Sequence, residues 1–209
     1  MFIGHYAAGF ALKKNSDEVP LWLLFIAVQL VDIIAFTLVL FDIERIAYSP
    51  SDNPFLRTII EYVPYSHSLL ANLILAILVF LLFQKIRGRK WGIILGIAVL
   101  SHWFLDLMVH KADMPLIHNS FKTGLGLWQY PWLAFLFEIA IMLMAGFYLL
   151  KNRQRLKRHL MLIILLAAGF AGMFFAPEAE ATPVLASLTS LTLYAFFTTM
   201  ASWCERRKR

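Results

Sequence analysis

The stretch Trp91–His110, WGIILGIAVLSHWFLDLMVH, decides how this chain folds. Up to Val109 it is apolar and close to the ~20 residues that a helix needs to cross a bilayer, yet it contains His102 and Asp106 and ends at His110. On a helix these three positions, each four apart, fall along one face against apolar Ile97, Leu100, Phe104 and Leu107. Ionisable groups in hydrocarbon are costly and mark a functional site by default. Two imidazoles and a carboxylate along one face make half of a metal site.

Working outward, the composition sets the surroundings. With 60% hydrophobic and 15% charged residues among 209, and a mean hydropathy of +0.70, the chain has more apolar surface than one soluble core can hide. An all-α, polytopic transmembrane bundle is expected, one integral membrane domain over residues 1–209. Its spans are Leu21–Phe41, Ser68–Phe83, Trp91–Val109, Trp132–Leu150, Leu160–Ala176 and Val184–Trp203. The opening segment Phe2–Leu12 is too short to cross alone. It has no basic residue before its apolar part and no small-residue cleavage site after Lys13-Lys14, so it reads as a retained, half-inserted or interfacial helix rather than a signal peptide. Its Gly4, Ala8 and Ala11 allow close packing. Single Cys204 excludes an intrachain disulfide.

The net charge of +6 does not point to nucleic acid, because the basic residues cluster in short connections between apolar runs. Lys85, Arg87, Arg89 and Lys90 fill one, Lys151, Arg153, Arg155, Lys157 and Arg158 another, and Arg206 to Arg209 the tail. By the positive-inside rule these are cytoplasmic, the C-terminus included. The connections 42–65, 111–128 and 177–183, the last carrying Glu178 and Glu180, then face outward. With the spans so oriented, Asp32, His67, His102 and Glu138 all fall within ~14 Å of the outer surface. His5 joins them if the opening helix enters from outside.

Imidazole nitrogen and carboxylate oxygen bind zinc at ~2.0–2.2 Å, so His102 and Asp106, one turn apart, can share an ion. His102 and His110, ~12 Å apart along the axis, cannot. The site must be completed from other helices, with His67, Asp32, Glu138 and His5 as donors. If Asp106 bridges, His110 can serve a second ion, an arrangement suited to phosphoester cleavage. One ion fits the sequence equally well.

These residues carry a resemblance. Gly4-His5 near the N-terminus, Asp32 in the next span, Ser66-His67-Ser68-Leu69, and Ser-His-x-x-Leu-Asp over Ser101–Asp106 resemble the bacterial membrane-bound metal-dependent hydrolases. The ordered His, Asp, His and His-x-x-x-Asp series is more distantly similar to the ligands of zinc-dependent phospholipase C. The resemblance covers about residues 1–140 and leaves 141–209 as accessory spans. Where those hydrolases read His-Arg-Gly-x-Thr-His-Ser-Leu, this chain has Tyr62 at the first histidine, and it keeps a single aspartate, Asp32, where a pair is usual. The resemblance implies a divalent metal, zinc foremost, one or two ions, and hydrolysis of an ester or phosphoester in a bacterial inner membrane.

The expected roles follow. His67, His102 and Asp106 hold the metal, joined by His5 and by Asp32 as ligand or orienter. Glu138 or Asp32 accepts a proton from water, and His110 protonates the leaving group. Lys111 and Lys122, with Asp113, Gly124, Gly126, Trp128 and Tyr130, surround the mouth and suit an anionic group; Trp128, Tyr130 and Trp132 also suit a membrane-anchoring belt. Asp52-Asn53-Pro54 reads as a turn and Phe55–Val63 as a short helix gating lipid entry. Ser66 after Pro64 reads as an N-cap, and His118 and His159 as loop and basic-cluster residues without a role. The outward, half-buried level favours a membrane lipid or other amphiphilic substrate. The competing class is a proton- or ion-coupled transporter built on the same His, Asp and Glu residues, for which the sequence offers neither an internal repeat nor paired broken helices.

Overall fold

The apolar runs become helices whose ends fall at caps and breakers. A computed structural model describes residues 1–150, 156–177 and 182–206. Among these, the helices are α1 (Gly4–Asn15), α2 (Leu21–Leu40), α3 (Leu69–Arg87), α4 (Arg89–Val109), α5 (Pro131–Leu150), α6 (Leu156–Phe174) and α7 (Pro183–Glu205). The last six are long and apolar enough to cross a membrane, within a few residues of the expected spans. Pro20 precedes α2, Gly88 at φ 94° separates α3 from α4, and Thr182 caps α7 by accepting from the Leu185 N–H. The cap of α3 is Ser68, which accepts from the Ala71 N–H, and not Ser66. Lys151, Arg153, Arg155, Glu178, Glu180 and Arg207 to Arg209, on which part of the topology reading rests, lie outside the described residues.

A small sheet corrects one expectation. The segment Phe55–Val63 does not form a helix beyond the single 3₁₀ turn Pro54–Leu56, capped by the Asn53 side chain. It continues as β2 (Thr58–Tyr62), antiparallel to β1 (Arg45–Tyr48), with an irregularity between Arg45 and Ile46. β-Branched Thr58, Ile59 and Ile60 favour a strand, but the partner that satisfies its backbone lies a dozen residues upstream, outside any local pattern.

Helix α4 is the centre of the bundle, packed against α3, α2 and α1, while α7 lies along α2 and α6 beside α5. The α3–α4 hairpin closes tightly because Gly92 has no side chain: a Cβ there would come 2.5 Å from the Phe80 carbonyl oxygen. Helix α1 sits inside the bundle, between α2, α4 and α5, with His5 and Phe10 fully buried. It is half-inserted rather than interfacial. Gly4 and Gly9 face Ile141 and Phe25 at close range, whereas Ala8 and Ala11 are only half-buried.

A buried ionic latch holds the far end of α1. Lys13 Nζ donates to the carbonyls of Asp17 and Val19, each at 2.9 Å, and pairs with Glu205 Oε1 at 2.8 Å. Glu205 Oε2 accepts from the Leu21 N–H at 2.6 Å. One lysine thus joins the ends of α1 and α7 and the start of α2, and its buried charge is fully compensated.

Candidate metal centre

Three helices and one turn bring the polar residues to a common level. His102 and Asp106 come from α4, Asp32 from α2, His5 from α1, and His67 from the turn before α3. His67 Nε2 lies 3.3 Å from Asp32 Oδ1 and 3.7 Å from Asp106 Oδ2. His102 Nε2 lies 3.5 Å and 3.1 Å from the same two oxygens. The other oxygen of Asp106 faces His5 Nε2 at 3.2 Å and the α-amino group of Met1. The His5 ring stacks on His102, centroids 3.8 Å apart and nearly parallel at 7°.

The outer nitrogens of both central histidines decide which way their lone pairs point. His102 Nδ1 lies 2.8 Å from the Val28 carbonyl oxygen, which can only accept. In the neutral ring Nδ1 therefore carries the proton and Nε2 presents a lone pair. For His67 the control runs through a relay. Glu44 Oε2 accepts from the Ser66 hydroxyl at 2.5 Å, and Ser66 Oγ is 2.8 Å from His67 Nδ1. The single hydroxyl proton is spent on the carboxylate, so His67 Nδ1 donates to Ser66, and in the neutral ring its Nε2 lone pair also points inward.

The turn carrying His67 is held from several sides. Glu44 Oε1 accepts from the N–H groups of Tyr65 and Ser66 at 2.8 and 2.9 Å. Asn72 Nδ2 donates to the carbonyls of Ser66 and Ser68 at 2.6 and 3.1 Å. The Trp103 indole donates to the His67 carbonyl at 3.0 Å. Asp32 is fixed similarly: Tyr194 of α7 donates its hydroxyl to Asp32 Oδ2 at 3.0 Å, leaving Oδ1 for the histidines.

With both rings neutral the centre is lined by acceptors. Two imidazole lone pairs and two carboxylate oxygens face each other with His102 fully buried, and His102 Nε2 has no hydrogen-bond partner among the described residues. Acceptors packed together in low dielectric repel unless a cation joins them. In a tetrahedral zinc site with bonds of ~2.0–2.2 Å, adjacent ligand atoms are separated by ~3.3–3.6 Å. The four histidine–aspartate separations span 3.1–3.7 Å, close to what such an ion needs. The trios that can hold a metal are Asp32, His67, His102 and His5, His102, Asp106. His102 belongs to both and has one free lone pair, which favours a single ion.

The other expected residues lie elsewhere. Glu138 of α5 is fully buried, but its Oε2 accepts from the N–H groups of Phe2, Ile3 and Gly4 at 2.9, 3.0 and 3.3 Å, and its Oε1 faces the Trp128 indole at 3.4 Å. It holds the start of α1, where free amides and the helix dipole favour an anion, and so positions His5. His110 stays outside the cluster: its Nδ1 is 3.2 Å from Asp113 Oδ1 and its ring lies 4.3 Å from that of Trp128. Trp128 is buried and stacked on Phe55, an internal plug rather than part of a belt, while Tyr130 and Trp132 are exposed. Lys111 and Lys122 are exposed on the loop between α4 and α5. Gly126 offers no free amide there, since its N–H donates to the His110 carbonyl at 2.7 Å.

Glu44 and Tyr194 are the residues that sequence reasoning missed. Glu44 follows α2 in a loop with several other acids, and Tyr194 sits in a span without a motif. The one available signal was a hydroxyl and a carboxylate near the depth of the cluster. Tyr194 also shows that the last span contributes to the centre.

Residues 52–179, which include His67, His102, Asp106, His110 and Glu138, match the family model described as YdjM inner membrane protein. No curated protein and no solved structure matches the chain. The match covers more than half of a chain with six candidate membrane spans, and the protein belongs to the YdjM inner membrane protein family.

Proposed function

We propose that the protein is a metal-dependent hydrolase of the inner membrane that cleaves an ester or phosphoester of a lipid or amphiphilic substrate. The observation that carries this reading is His102 Nε2, fully buried, directed at two carboxylates and without a hydrogen-bond partner among the described residues. His67, His102, Asp32 and Asp106 would hold one divalent ion, zinc by the nitrogen and oxygen character of the set. Such an ion lowers the pKa of water and polarises a phosphoryl or acyl oxygen, the chemistry that ester hydrolysis needs. Glu44, Ser66, Val28 and Tyr194 orient the ligands through the bonds described above.

Hydrolysis adds the water oxygen to phosphorus or the acyl carbon, breaks the bond to the alcohol oxygen and leaves a proton on that alcohol. Asp32 is the more exposed of the two carboxylates in the cluster and would accept the water's proton on Oδ2, the oxygen not given to the ion, which also takes the Tyr194 hydroxyl; Glu138 is engaged with α1 and Trp128. The site faces outward in this proposal, because Lys85, Arg87, Arg89 and Lys90 lie at the opposite end of α3 and α4. A cysteine at Lys122 is then labelled by an impermeant reagent from the periplasmic side.

The test is metal analysis of detergent-purified protein with a lipid ester and phosphoester screen, comparing wild type with His102→Ala. About one zinc per chain, lost together with turnover in the variant, is expected. Protein that takes up no metal, or full turnover by the variant, overturns the proposal; metal-dependent ion uptake without hydrolysis assigns the cluster to a carrier.

A further inference from the structure

The cluster has one open edge. Asp32 and His67 retain 14% and 9% side-chain exposure, against 0–2% for His5, His102 and Asp106. Ser68, next to His67, and Ile34, two residues after Asp32, are among the residues lining a groove of about 360 Å³. Helices α2 and α3 both pack on α4 but not appreciably on each other, and the gap between them is walled by Ile34, Leu70, Ala71, Ile74, Leu75 and Leu78. Leu70, Ile74 and Leu78 are exposed on the lipid-facing flank. From Leu70 to Leu78 the groove runs ~12 Å along α3.

Its other end is polar. Tyr65, Ser68 and His118 complete the lining, and the Tyr62 hydroxyl lies 3.2 Å from His118 Nε2. Tyr65 meets the His118 ring edge-on. Two phenols and an imidazole at the mouth of an apolar slot offer hydrogen bonds to ester or phosphate oxygens.

We infer that the gap between α2 and α3 is a lateral binding groove for one acyl chain of a membrane lipid, with its polar end held by Tyr62, Tyr65 and His118 beside Asp32 and His67. Lipid tails are as apolar as leucine, so the chain gains little energy by leaving the bilayer for the groove. The apolar wall therefore sets position, and the polar rim supplies the preference over bulk lipid. Only what becomes of the lipid rests on the hydrolase reading; occupancy of the groove does not.

The experiment uses the full chain in nanodiscs of phosphatidylethanolamine and phosphatidylglycerol doped with a phosphatidylethanolamine carrying a diazirine in one acyl chain, with adducts mapped by mass spectrometry. Adducts at Leu70, Ile74 and Leu78 are expected to exceed several-fold those at Leu133 and Leu136, positions on α5 that are also exposed. Ala71→Trp, which fills the slot, should bring that excess down to the α5 level, and His118→Ala, which removes one of the three rim groups without touching the core, should lower it, both with zinc content unchanged. His102→Ala should keep it. Adducts no more frequent in the groove than on α5, or an excess that survives both variants, overturn the inference. Wild-type protein without zinc overturns the hydrolase reading alone and leaves the mapping to decide the groove.

Discussion

Replacing Glu44 by glutamine reverses the relay that orients His67. In the wild type the Ser66 hydroxyl donates to Glu44 Oε2 at 2.5 Å, so the 2.8 Å contact between Ser66 and His67 Nδ1 is donated by the imidazole. In Glu44→Gln the amide oxygen can still take the N–H groups of Tyr65 and Ser66, but the amide nitrogen then meets Ser66 Oγ as a donor. The hydroxyl turns to donate to His67 Nδ1, and the imidazole proton moves to Nε2, facing Asp32 and Asp106 at 3.3 and 3.7 Å. A protonated nitrogen is no ligand. Losing an orienting partner of a metal ligand typically costs 10–100-fold in affinity, about 1.4–2.7 kcal/mol.

Zinc competition against a chelator on purified protein measures this directly. The thermal stabilisation that zinc adds should shrink by the same amount, since it scales as RT ln(1 + [L]/Kd). Metal-free Glu44→Gln should lose less, because its two backbone bonds survive and His67 gains a donor toward Asp32. Ser66→Ala, which enforces neither tautomer, should be milder than Glu44→Gln. Wild-type zinc affinity in Glu44→Gln, or a larger loss in Ser66→Ala, refutes the relay.

Tyr194→Phe removes the 3.0 Å donor to Asp32 Oδ2, and roughly tenfold weaker zinc binding is expected; unchanged affinity would leave Tyr194 a packing residue. Glu138→Gln replaces the carboxylate that accepts three backbone N–H groups at the start of α1. A stability loss of about 1.5–3 kcal/mol, with faster hydrogen exchange over residues 1–15, is expected. Lost turnover at an unchanged melting temperature would instead make Glu138 the base. His110→Ala should retain its zinc, because His110 pairs with Asp113 outside the cluster; metal loss in that variant would bring it into the centre.

The sequence alone determined whatever depends on local periodicity. Run length and hydropathy specified six spans and a short opening helix, and the four-residue spacing placed His102 and Asp106 one turn apart on α4. Counting residues along each span set Asp32, His67, His102 and Glu138 at one depth, because helical rise is constant. Tertiary structure decided which way each helix is turned and what meets across the gaps. Depth could not separate Asp32, whose oxygen enters the cluster, from Glu138, whose oxygens are claimed by the amides of α1, since both stand at the same level on different helices. Spacing could exclude His110 as a partner of His102 on one ion, but not show that Asp113 and Trp128 hold it. Glu44, Tyr194 and the β1–β2 hairpin act through contacts between distant parts of the chain, and no periodic signal records them. The tautomer of His67 rests on a hydrogen bond between residues 22 apart.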